Sequence, residues 1–171
     1  MVIIIVIIIL LFNNYITTNM KKPQTGIGSF ILNSTEDKIL ISKRIKEQKY
    51  QIPGGSLEHG ETIEACAKRE LFEETNIKIE DTERLRIIGC KNCINLELDY
   101  HWIDFYTATV LTEDEEKTVS NPEKEKCEDW IWVDYNELIK LKESLFFPLQ
   151  YFLDAYNIKS FKDILSLKYV D

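Results

Sequence analysis

Histidine is scarce in this chain and positive charge is in deficit. Two histidines occur among 171 residues, His59 and His101, and they are not spaced as a metal-holding pair. Twenty-one Lys and Arg stand against 29 Asp and Glu, a net charge of −8. Such a surface repels polyanions and argues against a broad nucleic-acid-binding face. Small phosphorylated ligands stay open, because a bound divalent cation reverses the local sign. Cysteine is sparse too: Cys66, Cys90, Cys93 and Cys127. Cys90 and Cys93 have CxxC spacing, but a structural zinc site needs a second ligand pair and none is present. Reduced thiols in a reducing, cytoplasmic setting are expected. No repeat or low-complexity linker breaks the chain. The longest apolar run, Val2 to Phe12, is eleven residues and too short to span a bilayer as a helix. It has the apolar core of a signal peptide but no preceding Lys or Arg and no clear cleavage site. It reads as a targeting or anchor segment, a strand-like extension, or sequence upstream of a start at Met20. A dispensable extension over 1–19 and one domain over 20–171 are the expectation.

The rest of the chain alternates strand and helix patterns. Residues 25–33 and 38–43 read as strands joined by a polar turn, and 50–55 as an extended piece ending in a Gly-rich loop. Thr62 caps a helix to Thr75, whose packed side holds Ile63, Ala65, Cys66, Ala67 and Leu71. Strands follow at 84–91, 99–111 and 129–133, with Thr112 to Glu128 as an exposed charged loop. Asp134 caps a short helix, 145–156 form an apolar aromatic helix, and Ser160 opens a last one. This order predicts one α/β domain, a mixed sheet with helices on its faces.

Residues 55–77 concentrate the chemistry. Glu70, Glu73 and Glu74 fall at i, i+3 and i+4, so one helix face presents all three. Like charges stacked this way repel, and a hard divalent cation is the natural partner. Mg²⁺ takes oxygen ligands and keeps waters and substrate phosphates in its shell. A solvated acidic face would also explain a Glu-rich run, but not the Gly and Arg at fixed positions around it.

Those positions resemble the Nudix box, G-x5-E-x7-R-E-U-x-E-E-x-G-U, with U a bulky aliphatic residue. Gly55, Glu61, Arg69, Glu70, Leu71, Glu73, Glu74 and Ile77 fill it. Asn76 stands where the family has Gly. That Gly ends the helix in a left-handed conformation, which Asn tolerates next best. Outside the box, Gln51-Ile-Pro-Gly-Gly, Trp130-Ile-Trp132, Glu137-Leu138 and Leu145-Phe146-Phe147-Pro-Leu149 are similar to MutT-like nucleoside triphosphate diphosphatases, and among them to the type of the second animal MutT homologue. The resemblance runs from about residue 24 to 163.

It implies the Nudix fold, a mixed β-sheet sandwiched between α-helices. It implies Mg²⁺-dependent hydrolysis of nucleoside triphosphates, purine and dGTP/GTP-like or oxidised, to nucleoside monophosphate and pyrophosphate, with Mn²⁺ as a possible substitute. Glu70, Glu73, Glu74 and the Gly54 carbonyl would hold metal, with Glu125 an outlying ligand or a solvated Glu. Glu70 or Glu74 would take the proton from water, and Arg69 would pair with Glu61 and orient the helix. Phe146, Phe147 and Leu149 would wall a base pocket over Ile52, Gly54 and Gly55, or pack a helix. Arg44 would touch phosphate or lie at the surface. Asp104, inside an aromatic strand beside Trp102 and Tyr106, would accept the N–H groups of guanine or of a pterin, or pair within the core. Relatives of this kind are commonly homodimers, and no nucleic-acid polymer is expected as a partner. Two rivals share the box: another Nudix substrate, such as dihydroneopterin triphosphate, a dinucleoside polyphosphate or a nucleotide sugar, and a silent nucleotide-binding domain. The intact carboxylates count against the latter.

Overall fold

The computed structural model describes residues 21–169; the apolar run and the boundary expected after residue 19 lie outside the described residues. Among the described residues, no helix is long and apolar enough to cross a membrane.

Six strands form a mixed sheet: β1 (Gln24–Leu32), β2 (Lys38–Lys43), β3 (Tyr50–Gln51), β4 (Arg86–Asn95), β5 (Tyr100–Val110) and β6 (Ile131–Asp134). Their order is β3-β2-β1-β5-β4, with β6 also paired to β2. β1 and β5 run parallel, with Gly26 beside Asp104 and Gly28 beside Tyr106. β4 and β5 are antiparallel. The period-2 alternation of β1 and β2 explains the layering. Phe30, Leu32, Ile39 and Ile41 face one core, with Leu149, Phe152 and Ile164. Ile27, Ile31 and Leu40 face the other, with Cys66, Ala67 and Leu71. The helices are α1 (Ile63–Thr75), α2 (Glu113–Glu116), α3 (Tyr135–Lys140), α4 (Phe147–Ala155) and α5 (Phe161–Ser166). α1 covers the second core, and α4 and α5 cover the first. The sheet is thus sandwiched between helices.

Several expected bounds change. Thr112 to Glu128 is not an exposed loop throughout. Thr112 and Glu115 form a capping box that starts α2, and Asn121 and Cys127 are buried. β4 runs on to Asn95, because pairing with β5 carries it through the polar Lys91 and Asn92. The aromatic helix starts at Phe147, after an extended Phe146. Ala65 is exposed rather than packed. All four cysteines are free thiols. Cys90 and Cys93 lie opposite Phe105 and Trp102 in β5, which point to opposite faces, so this CxxC does not converge on one metal.

Candidate active site

α1 positions the carboxylates. Thr62 accepts from the Ala65 N–H at its start. Asn76 closes it at φ 60°, its N–H donating to the Phe72 carbonyl. The left-handed residue the helix end needs is therefore supplied by Asn rather than Gly. Arg69 gathers the acids. Its Nε and Nη2 meet the two oxygens of Glu61 at 2.7 and 3.0 Å. Its Nη1 donates to Glu70 at 2.7 Å and to Glu73 at 3.1 Å. The Arg69 fork, with the Glu58 N–H, holds the Glu61 carboxyl down to about 2.

Glu70 and Glu74 turn toward the Gly-rich loop. Burial raises the Glu70 carboxyl above its ordinary value, opposed by Arg69. Glu74 is only 8% exposed. Its Oε2 accepts from the Gly54 N–H at 2.9 Å. Burial pushes it up to about 8, and nearby Glu70 and Glu123 add to the rise. Glu73 is half exposed. Gly54 sits at φ +156°, and a Cβ there would lie 2.0 Å from the Ile27 carbonyl oxygen. A Cβ on Gly55 would lie 2.3 Å from Glu70 Oε1. The loop is pinned to β1 through Ile27 N–H to Gly55 O, Ser29 N–H to Pro53 O and Leu57 N–H to Thr25 O.

On the other side of this loop opens a cavity of about 370 Å³. Gly26 and Gly28 of β1 leave it space, and Ile52, Gly54, Gly55, Asp104, Phe146 and Leu149 line it. Arg44 stands on its wall, 4.7 Å from the Phe146 ring centroid. Its Nε donates to Glu47 at 2.8 Å and its Nη1 to Gln51 at 2.5 Å.

One expected position is corrected. Phe147 does not line the cavity; Pro148 does. Phe146 is extended and Phe147 starts α4, so successive rings diverge. Phe147 stacks on Tyr151 and meets Tyr100 edge-on. Glu125 is exposed, in keeping with the solvated alternative, while Glu123 is half-buried and adds to the rise at Glu74. Asn121 Oδ1 accepts the Glu123 N–H and holds that turn, while Lys126 pairs with Glu123 at 2.6 Å. Trp102, expected beside Asp104, lines the cavity, as do Tyr100, Glu47 and Gln51, which the sequence did not single out as site residues. Alternation along β5 puts Tyr100 on the face of Asp104 and Trp102 as well; Gln51 stood only within the Gln51-Ile-Pro-Gly-Gly stretch, and nothing in the sequence marks Glu47.

The chain matches the NUDIX domain family over residues 22–155. The chain belongs to that family. It is 27% identical over 143 residues to the RNA pyrophosphohydrolase of Hydrogenovibrio crunogenus, covering 73% of this chain and 83% of that protein. The fold is like that of a NUDIX hydrolase from Nitrosomonas europaea, with a TM-score of 0.63, 22% identity and coverage of 87% and 98%. It is also like the MutT protein of Methanosarcina mazei Go1, with a TM-score of 0.62, 19% identity and coverage of 81% and 96%. The chain is thus a Nudix hydrolase, an enzyme of phosphoric anhydrides.

Nudix hydrolases generally use a divalent metal such as Mg²⁺. Among the described residues, no three His, Cys, Asp or Glu side chains form a ready cage, and Arg69 engages Glu61, Glu70 and Glu73. The donor chemistry nonetheless suits such an ion. Glu74 is a buried carboxylate with a single N–H donor, beside two more carboxylates, and lacks a positive partner of its own.

Proposed function

We propose that this protein hydrolyses nucleoside triphosphates to nucleoside monophosphate and pyrophosphate, with Mg²⁺ or Mn²⁺ as cofactor. One observation carries the reading. Gly54 and Gly55 line the cavity on one side, and on the other they touch the carboxyls of Glu74 and Glu70. A nucleotide with its base in the cavity therefore brings its phosphates to the acids.

Glu70, Glu73, Glu74 and the Gly54 carbonyl would hold the metal, which supplies neutralisation of phosphate charge and a more acidic water. The chain's own groups do the rest. Arg69 keeps three carboxylates in register through its fork. Glu70 or Glu74 accepts the proton of the attacking water; in Glu74, Oε2 is taken by Gly54, which leaves Oε1. Arg44, oriented by Glu47, Gln51 and the Phe146 face, meets a phosphate oxygen. Phe146 and Trp102 offer faces on which a base stacks.

A second reading keeps the cleavage and changes the substrate to a 5′-triphosphorylated RNA end. The name of the Hydrogenovibrio relative favours it; the net charge of −8 does not. A panel of nucleoside triphosphates and a 5′-triphosphorylated oligoribonucleotide, assayed with Mg²⁺ for pyrophosphate against phosphate release, decides. Pyrophosphate from free nucleotides is expected. Turnover of the oligonucleotide alone would replace the first reading with the second.

A further inference from the structure

Asp104 is a buried acid whose nearest cations are engaged elsewhere. It is 5% exposed and lines the cavity. The β4–β5 register puts Lys91 directly opposite it, where a cross-strand ion pair would form. Lys91 instead lies over the Tyr156 ring, 4.6 Å from its centroid. Arg44, the cation among the cavity-lining residues, is held by Glu47, Gln51 and Phe146. What Asp104 receives is a hydroxyl: Tyr100 Oη–H donates to Oδ2 at 3.1 Å. Its Oδ1 lies against Gly26 on the cavity floor, 3.0 Å from where a Gly26 Cβ would stand. Burial raises the Asp104 carboxyl from its ordinary value, against the opposing pull of Cys93 and Tyr100. A carboxylate left so poorly compensated gains from any ligand that brings donors to it.

We propose that Asp104, aligned by Tyr100, is the specificity-determining residue of the cavity and reads a ring edge bearing two adjacent N–H donors. This rests on the cavity being the base site of the hydrolase proposed above. The edge is the lactam N–H and 2-amino pair, N1–H and N2–H₂ in guanine and N3–H and the 2-amino group in a pterin ring. A carboxylate accepts both. Hypoxanthine offers one donor, and adenine turns an acceptor toward the acid. Stacking on Trp102 and Phe146 is indifferent to which purine is bound, so discrimination falls to Asp104. Tyr100 is a positioning residue: its hydroxyl takes one lone pair of Oδ2 and fixes the carboxylate, leaving the other lone pair of Oδ2 and Oδ1 to accept the two N–H groups.

Binding is separable from turnover. Trp102 lines the cavity, so tryptophan fluorescence of the full chain without metal can follow GMP, IMP, AMP and neopterin. The expected order in the natural protein is GMP tighter than IMP, and IMP tighter than AMP. Neopterin tells a pterin site from a guanine site by binding tighter or weaker than GMP. D104N, nearly isosteric, should lower the GMP-to-AMP affinity ratio about ten- to a hundredfold, with D104A doing the same. Y100F should lower that ratio by a smaller factor, whereas a purely structural loss would weaken both ligands equally. Equal binding of GMP and AMP by the natural chain, or an unchanged ratio in D104N, overturns the proposal. A guanine preference that D104N removes, with no triphosphate hydrolysed, keeps this proposal and overturns the hydrolytic reading instead.

Discussion

Gly54 and Gly55 are neighbours, yet replacing each by Ala should damage different things. At Gly54 the added Cβ meets backbone, 2.0 Å from the Ile27 carbonyl oxygen, and the residue sits at φ +156°. Relief requires the loop to lift from β1. The hydrogen bonds from Ile27 to Gly55 and from Ser29 to Pro53, at 2.9 and 2.8 Å, are the ones at risk. Each is worth about 0.5–1.5 kcal/mol, and the strained backbone adds about 1–3 kcal/mol. Gly54→Ala should therefore cost about 2–6 kcal/mol, a large share of the roughly 5–15 kcal/mol that holds a typical domain. At Gly55 the Cβ meets the end of a flexible side chain, the Glu70 carboxyl. Glu70 can swing aside, giving up its 2.7 Å pair with Arg69, a loss of about 1 kcal/mol or less. A carboxylate acting as base or metal ligand would then be misplaced, and turnover should fall about a hundredfold or more. Urea denaturation gives the first quantity and Mg²⁺-dependent pyrophosphate release the second. If Gly55→Ala unfolds as readily as Gly54→Ala, or turns over substrate like the natural protein, the placement of Glu70 against this loop is wrong.

Glu73→Gln and Glu74→Gln should each keep the fold and lose most activity, as chelation with EDTA should, because a neutral amide is a poor Mg²⁺ ligand; near-normal turnover in both variants would contradict the metal role. A chain started at Met20 should be as soluble and active as the full one, and failure to fold would make the apolar run part of the core. Arg84 meets both oxygens of Glu115 at 2.7 and 2.8 Å and holds its carboxyl down to about 2. That pair stabilises fully above the ordinary value of 4.5 and is lost as pH falls toward 2. Glu115→Gln should thus cost about 1 kcal/mol at pH 7 and leave a smaller loss between pH 5 and 2, as denaturation at both ends would report.

Local rules made the frame of this protein legible. Thr62, Asn76 and Asp134 cap helices because their short side chains or tolerance of left-handed backbone suit helix ends. Apolar runs around a polar turn marked β1 and β2 as strands, and spacing marked the acids of α1. The site was harder to read where one residue decides the direction of a side chain. Glu123 and Glu125 are alike in composition and neighbours in sequence. Only the buried Asn121, bonded to the carbonyls of Cys127 and Glu128 and to the Glu123 N–H, turns one inward. Phe146 and Phe147 differ in the same way, through the start of α4. α2 was hidden by its charge, since four successive acids read as a loop until the Thr112 cap and the N-terminal helix dipole are counted.

The attachment of the Gly-rich loop to β1 makes the site a ruler. β1 supplies the cavity floor through Gly26 and Gly28, and its backbone grips the loop at Thr25, Ile27 and Ser29. The cavity floor and the loop beside the acids are thus parts of one hydrogen-bonded unit. Under the proposed function, how deep a ring sits would set which phosphorus reaches Glu70 and Glu74. A ring that docks shallowly would carry its chain outward and present a different anhydride to the same carboxylates. Regiochemistry of cleavage, read by the position of labelled oxygen in the products, becomes a measure of how the base is seated.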